Sequence, residues 1–525
     1  MAFKFQINND LKFNHRLDLL KKADENRPEI HRQTITGQAL VKLTDDVTKL
    51  EGIGLEQEGT MADLASRKLS RDGKVIIDFG RHVVGRFKIH IEHTGSPMDA
   101  PLAVKFRFAE MPNELAHQAS EYDGWLSKAW IQEETLHLDS LPVDLELPRR
   151  YSFRYVEIDV IDSSPKWQAV FSNPTAVAQS AVTTPTVAAP KLDDPVLQRI
   201  YQVGLNTLHD CMQDVFEDGP KRDRRLWLGD LRLQALANYA TYDNRALVKR
   251  CLYLFGAMTT TDGRISANVF TNQDYIPDDT FMYDYSLFFI STLDDLEKQG
   301  EDREILEDLY PIAKKQWAYT QRYIAADGRV KADEDYPVFV DWSNEFDKTA
   351  CGQAITIYAL RQLIDLAKRM GDAEVTKYQE QLAKLEDYAK GLFDAKRGFF
   401  VSGPDREVNI ASQVWMVLAH VLDDDANQAL MKKTVEQLFP VRGIATPYMY
   451  HHVTEALFEA GLHDEAIKLM KTYWGKMCQL GADTYWEAFE PEKPAFSPYG
   501  SPIVNSYCHA WSCTPVYLLK KYGQH

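Results

Sequence analysis

The spacing of apolar residues changes once along this chain, and that change limits the folds open to it. Up to about residue 176 apolar and polar residues alternate, as in KVIIDFG, GRFKIHIEHT, LAVKFRFAE and FRYVEIDVID, each run closed by Gly, Pro, Asp or Ser. A period of two is that of half-buried strands, so an antiparallel β-sandwich is expected over 1–176. Residues 9–50 mix a short helical piece with a strand or two and are not placed further. The segment 173–195 is rich in Ala, Thr, Pro and Val, which suits an extended connection, with the linker proper over 177–193. Beyond it the period becomes about 3.6.

Twelve helices are expected in the second part, near 194–213, 229–242, 245–259, 280–299, 302–324, 349–370, 372–394, 409–422, 424–438, 447–461, 463–479 and 505–521. Short joins alternate with long aromatic and acidic loops. Six helical hairpins closing into an (α/α)6 barrel over 194–525 meet that pattern, and no repeated period supports a solenoid. The fold class expected is therefore multidomain, a β-sandwich followed by an all-α barrel.

The long loops carry the chemistry. EDGPKRDRRLWLGD, 217–230, sets Glu217, Asp218, Asp223 and Asp230 among four basic residues and Trp227. Asp223 lies five residues after Asp218 and Asp230 twelve, so no one helical face presents all three, and a folded loop must gather them. Arg222 and Arg224 flank Asp223, so a proton-donating role for it requires those arginines to point elsewhere. GADTYWEAFEP, 481–491, places Glu487 beside Tyr485 and Trp486, and aromatic neighbours can desolvate a carboxylate and fit it for proton transfer. Two carboxylates on separate loops suit glycoside hydrolysis. Asp278, Asp279, Asp335-Tyr336 and Asp341-Trp342 pair acid with turn or ring as sugar subsites do, though each pattern also serves as a cap or turn. His451 and His452 are consecutive in a helix and face different ways, which argues against a shared metal. His509 is expected inside the last helix.

A formal charge of -17 excludes a surface built for nucleic acid, and no run reaches the ~18 apolar residues of a membrane span. The opening residues lack the apolar core of a signal peptide, and six scattered cysteines (211, 251, 351, 478, 508, 513) show neither a disulfide frame nor zinc spacing. A cytoplasmic protein with reduced thiols is expected.

EDGPKRDRRLWLGD resembles the acidic motif of the α-L-rhamnosidases of glycoside hydrolase family 78, D-x-P-x-R-D/E-x-R followed by W-x-G-D. The similarity continues through Asp341-Trp342, the Gln413 region, TYWE, and Ser506 with His509; DFGRHVVGRFKIHIEH and FRFAE are similar to the family's sandwich module. The resemblance implies an inverting exo-hydrolase that releases terminal α-L-rhamnose, with Asp223 as general acid and Glu487 as general base. It implies that Asp218, Arg222, Trp227, Asp230, Asp341, Trp342, Trp486 and His509 surround the sugar. No cofactor and no metal are implied, the partner is a carbohydrate, and some compact two-domain members pair as homodimers. Arg224 stands where the family often has glutamate, and the Arg225 to Trp227 portion is a residue shorter and lacks a glycine, departures that bear on which sugar is accepted. A six-hairpin hydrolase for another sugar and a silent sugar-binding protein are the alternatives.

Overall fold

Alternating residues of the first third become one antiparallel sheet in the computed structural model, which describes residues 6–300 and 302–523. After helix α1 (Leu17–Glu25), its strands are β1 (His31–Thr36), β2 (Ala39–Asp45), β3 (Ile53–Gly59), β4 (Gly73–Gly95), β5 (Leu102–Ala109), β6 (Glu133–Leu138), β7 (Val143–Glu146), β8 (Tyr151–Asp162) and β9 (Trp167–Ser180). Short helices α2 (Met61–Ser66) and α3 (Pro112–Ala116) interrupt them. The first half of β4 runs between β2 and β8, the second between β9 and β7, with a register shift after Asp78. The expected sandwich is thus one sheet folded over, with β4 serving both layers. Phe79, Phe87, Phe108 and Phe153 fill it with edge-on ring contacts at 5.1–6.5 Å.

Strand β9 runs on to Ser180, eight residues into the stretch expected to be extended connection. Thr175 to Ser180 pair residue by residue with Thr36 to His31 of β1. Small and β-branched side chains suit strand and linker alike, so the presence of a partner strand decides between them.

The helices follow: α4 (Pro195–Cys211), α5 (Leu228–Tyr239), α6 (Arg245–Ala257), α7 (Tyr283–Lys298), α8 (Arg303–Thr320), α9 (Thr349–Met370), α10 (Val375–Gly391), α11 (Ile410–Leu418), α12 (Asp424–Leu438), α13 (Pro447–Glu459), α14 (His463–Gln479) and α15 (Pro515–Tyr522). Side chains of Asp194, Asn244, Asp302, Asn409, Asp423 and Thr446 cap the helices they precede. Helices α5, α7, α9, α11, α13 and α15 pack in succession, and α15 returns to α5 to close an inner ring. The others lie outside. Helices α5 and α11 are buried at every position, whereas α10 buries only Tyr378, Leu385 and Ala389. Every inner helix is preceded by a long connection, so these loops gather at the end of the ring where the inner helices begin.

The last helix begins at Pro515, not near residue 505. Between them the backbone is engaged elsewhere: Glu487 N–H donates to Ser506 O at 3.0 Å, His509 N–H to Tyr485 O at 2.8 Å, and Ala510 N–H to Asp218 O at 3.0 Å. These bonds take groups a helix would use, and they free His509 from it.

The β domain grips this same end of the barrel with polar groups. Arg150 donates both terminal nitrogens to Glu217, at 2.9 and 2.7 Å, and buried Lys221 pairs with Glu114. His82 bridges Asp210 (Nδ1 to Oδ2, 2.7 Å) and Glu110 (Nε2 to Oε1, 3.1 Å). Burial alone would depress its pKa, but nearby Cys508 and the two carboxylates outweigh that and hold it well above the usual imidazole value. A raised folded pKa contributes stability that is complete below the unfolded value of about 6.5 and is lost as pH rises through the folded one. The thermal midpoint is therefore expected to fall above about pH 6.5, with a shallower fall in His82→Gln; equal slopes would show that His82 stays neutral at this interface.

Candidate active site

The acidic loop folds around Asp218. Its Oδ2 accepts the backbone N–H of Asp223 and its Oδ1 that of Arg225, both at 3.0 Å, while its own N–H donates to Arg225 O at 3.0 Å. At Gly219 a Cβ would stand 2.6 Å from both Arg222 O and Ser506 Oγ, so glycine is required there. Arg224, at φ 61°, turns away from the cleft and donates to Lys221 O (3.2 Å) and Arg150 O (3.0 Å). Asp223 is left facing the cleft, its side chain 19% exposed.

Arg222 stays in the site but leans toward the other carboxylate. Its Nη2 donates to Glu487 Oε2 at 2.5 Å, its Nε to Val504 O at 2.6 Å, and its Nη1 stands 3.7 Å from Asp223 Oδ1. The guanidinium lies over the Tyr499 ring at 4.0 Å, and the Tyr499 hydroxyl donates to Glu487 Oε1. Burial opposes the charge on Arg222, yet Glu487, Tyr499 and Asp223 together raise its pKa further. A planar guanidinium is only a few ångströms across, so the nearest oxygens of Asp223 and Glu487 lie within the ~9.5 Å upper limit of the gap inverting glycosidases leave for water.

On the floor, Asp230 sits in the first turn of α5, where the helix dipole favours a carboxylate. It accepts the Tyr285 hydroxyl at 3.2 Å. His509 lies between the acids, Nδ1 3.7 Å from Asp230 Oδ1 and Nε2 3.8 Å from Asp218 Oδ2, both beyond hydrogen-bonding distance. Asp230 Oδ1 and His509 Nδ1 are buried without a hydrogen-bond partner among the described residues. Burial, then the charges of Asp218 and Glu487, pushes the Asp230 pKa well up; burial and Asp223 push Asp218 up to about 8 against its backbone donors. Burial, then Arg222, pushes His509 well down, so its ring is neutral. Neutral donors and acceptors awaiting partners suit a hydroxylated, uncharged ligand.

Asp218, Arg222, Asp223, Trp227, Asp230, Trp342, Glu487 and His509 thus line one cleft of about 370 Å³. Two expected sugar contacts do not reach it. Asp341 accepts the N–H groups of Ser343 (2.7 Å), Ala445 (2.9 Å) and Thr446 (3.0 Å) and the Thr446 hydroxyl, tying two long loops together behind the wall. Trp486 is buried edge-on against Phe489 and Tyr507, each at 5.4 Å, because in this extended segment it faces opposite to Glu487. Asp278 and Asp279 reach the cleft mouth, whereas Asp335 is on the surface and Tyr336 in the core. His452 packs on Trp415 at 4.4 Å inside the barrel, and His451 faces Glu455. Gln413 clasps the backbone of Phe400, and Ser506 braces Cys508 O. Among the described residues no group of three His, Cys, Asp or Glu could hold a metal. Tyr499, Tyr285 and Arg225 line the cleft with no signal in the sequence beyond being polar loop or helix-start residues.

Paired carboxylates in a cleft where six helical hairpins begin are the arrangement a glycoside hydrolase uses. Residues 37–178 match the glycosyl hydrolase family 78 alpha-rhamnosidase N-terminal domain, and 187–522 the bacterial alpha-L-rhamnosidase 6 hairpin glycosidase domain. A solved rhamnosidase from Klebsiella oxytoca with rhamnose bound is 42% identical at a TM-score of 0.94, the match covering 98% of this chain and 100% of that one. The family 78 rhamnosidase of Bacillus sp. GL1 shares the fold at 18% identity and TM-score 0.71, over 89% of this chain and 49% of its own. The Streptomyces avermitilis α-L-rhamnosidase complexed with L-rhamnose does so at 16% and 0.65, over 94% and 44%. No curated protein matches the sequence. The chain belongs to glycoside hydrolase family 78, the α-L-rhamnosidases.

Proposed function

We propose that this enzyme releases terminal α-L-rhamnose with inversion, Asp223 protonating the glycosidic oxygen while Glu487 takes a proton from the attacking water. The observation that carries the roles is the asymmetry of Arg222, 2.5 Å from Glu487 but 3.7 Å from Asp223. The guanidinium and the Tyr499 hydroxyl fix Glu487, as a base that must position water requires, while Asp223 is less tightly held and faces the cleft where the glycosidic oxygen would lie. Asp230 and His509, with their unpartnered atoms, then receive the sugar hydroxyls, and Trp227 and Trp342 flank the ring. After one turnover Glu487 holds the water's proton and Asp223 has lost its own, and exchange with solvent restores both. The six unbridged cysteines support a reducing, cytoplasmic location. The test is hydrolysis of an aryl α-L-rhamnoside followed by NMR. β-L-Rhamnose as the first anomer supports the proposal; α-L-rhamnose first would overturn inversion, and turnover of only a different glycoside would overturn the sugar.

Asp230 carries a second prediction. Its raised folded pKa means that folding binds a proton, so the stability it contributes declines as pH rises above the unfolded value of about 3.9. Asp230→Asn is expected to raise the unfolding midpoint of the free enzyme at pH 7, with a margin that shrinks toward pH 4, while losing the added protection L-rhamnose gives the wild type. An unstable Asn variant at pH 7 would refute the assignment of buried, unsatisfied charge.

A further inference from the structure

The floor of the cleft is polar, but its mouth is built differently, and much of it comes from the other domain. The β-domain segment 122–130 brings Trp125, Leu126 and Trp130 to the lining, across from Phe270. This segment is seated on the barrel loop that carries Tyr499. The Trp125 indole N–H donates to Pro498 O at 2.9 Å, and the Tyr122 hydroxyl donates to Tyr499 O at 3.3 Å while accepting the Leu126 N–H at 3.0 Å. A Cβ at Gly124 would overlap Tyr499 O, so only glycine permits the approach. The Trp125 ring stands 5.3 Å from that of Tyr499, whose hydroxyl holds Glu487, and Trp125 is still 44% exposed toward the cleft mouth.

Polar groups on the facing lip are each anchored to the protein by one contact. Asp278 accepts from Asn268 Nδ2 at 2.7 Å, Asp279 from Asn8 N–H at 2.7 Å, and the Arg225 guanidinium lies over Phe270 at 4.4 Å. A flat ring placed here would meet the faces of Trp125, Trp130 and Phe270. Asp223, the more exposed of the two carboxylates, stands between this mouth and the floor.

We infer that segment 122–130 of the β domain forms the leaving-group subsite, with Trp125 and Trp130 as specificity-determining residues for substrates whose leaving group is a flat aromatic ring. The inference rests on the rhamnoside-hydrolase reading given above, and it assigns the N-terminal domain a part in substrate choice as well as in holding the acidic loop.

The experiment compares two substrates that share the sugar and differ at the leaving group: 4-methylumbelliferyl α-L-rhamnoside, with a flat bicyclic ring, and α-L-rhamnosyl fluoride, with none. For full-length wild type, Trp125→Ala, Trp130→Ala and Trp125→Phe, the quantity read is the ratio of kcat/KM for the first over the second. The ratio is expected to fall about tenfold in Trp125→Ala, less in Trp130→Ala, and to recover most of its value in Trp125→Phe, which keeps a ring and reports that the segment remains seated. A ratio constant within about twofold across the variants, whether both rates fall together or neither does, overturns the subsite. A Phe variant as impaired as the Ala variant also overturns it, because the loss would then follow the indole N–H bond to Pro498 and not the ring face. Wild-type turnover of neither substrate would instead overturn the underlying reading of the sugar, a result distinct from an unchanged ratio.

Discussion

Glu487→Gln is expected to lower kcat on every α-L-rhamnoside by about 10²–10⁴-fold, whereas Asp223→Asn is expected to lose as much only on substrates with poor leaving groups. The difference follows from the role proposed for each carboxylate. A base that activates water is needed whatever departs. An acid is needed only in proportion to the basicity of the departing oxygen, and a fluoride or nitrophenolate leaves almost unaided. With a methyl or disaccharide rhamnoside both variants should be nearly inactive; with rhamnosyl fluoride Asp223→Asn should recover most of its deficit and Glu487→Gln none. Steady-state kinetics on three leaving groups of graded pKa separates the roles. Deficits that run parallel in the two variants would sink the division into acid and base, and the opposite pattern would exchange the assignments.

What the sequence made legible, and what it did not, divides along the reach of the interactions involved. Helix starts were legible because their causes are local: Asp194, Asn244, Asp423 and Thr446 each cap the backbone two or three residues on. The acidic loop was legible for a related reason, since Asp218 bonds the N–H groups of Asp223 and Arg225 within seven residues of itself. Elements set by distant partners were not. The end of β9 depends on β1, about 140 residues earlier in the chain, and the start of α15 depends on bonds to Tyr485, Glu487 and Asp218. Side-chain direction in loops failed in the same way. Asp341 and Trp486 have the residue types of a sugar subsite, but a half-turn of backbone sends one into a loop brace and the other into the core. Tyr499 and Trp125 show the converse, because their value lies wholly in which remote loop they touch.

Arg222→Met tests the centre of the site more severely than either carboxylate variant. The guanidinium is buried and is the close cation of Glu487, so its removal strands Glu487, whereas Asp223 keeps Arg225 Nη1 4.0 Å from its Oδ2. Breaking a buried pair on one side typically costs about 3–5 kcal/mol, more than the pair itself contributes, because the remaining charge is stranded. The variant should therefore be both inactive and markedly destabilised. Adding Glu487→Gln removes the stranded charge, so the double variant should be more stable than Arg222→Met alone at pH 8, a non-additivity that a double-mutant cycle reads directly. A deficit unrelieved by the second substitution would mean that Arg222 acts through its packing on Tyr499 and its bond to Val504 O. The asymmetry that assigns the roles would then lose its physical basis, since a cation that does not stabilise charge on Glu487 cannot be what distinguishes base from acid.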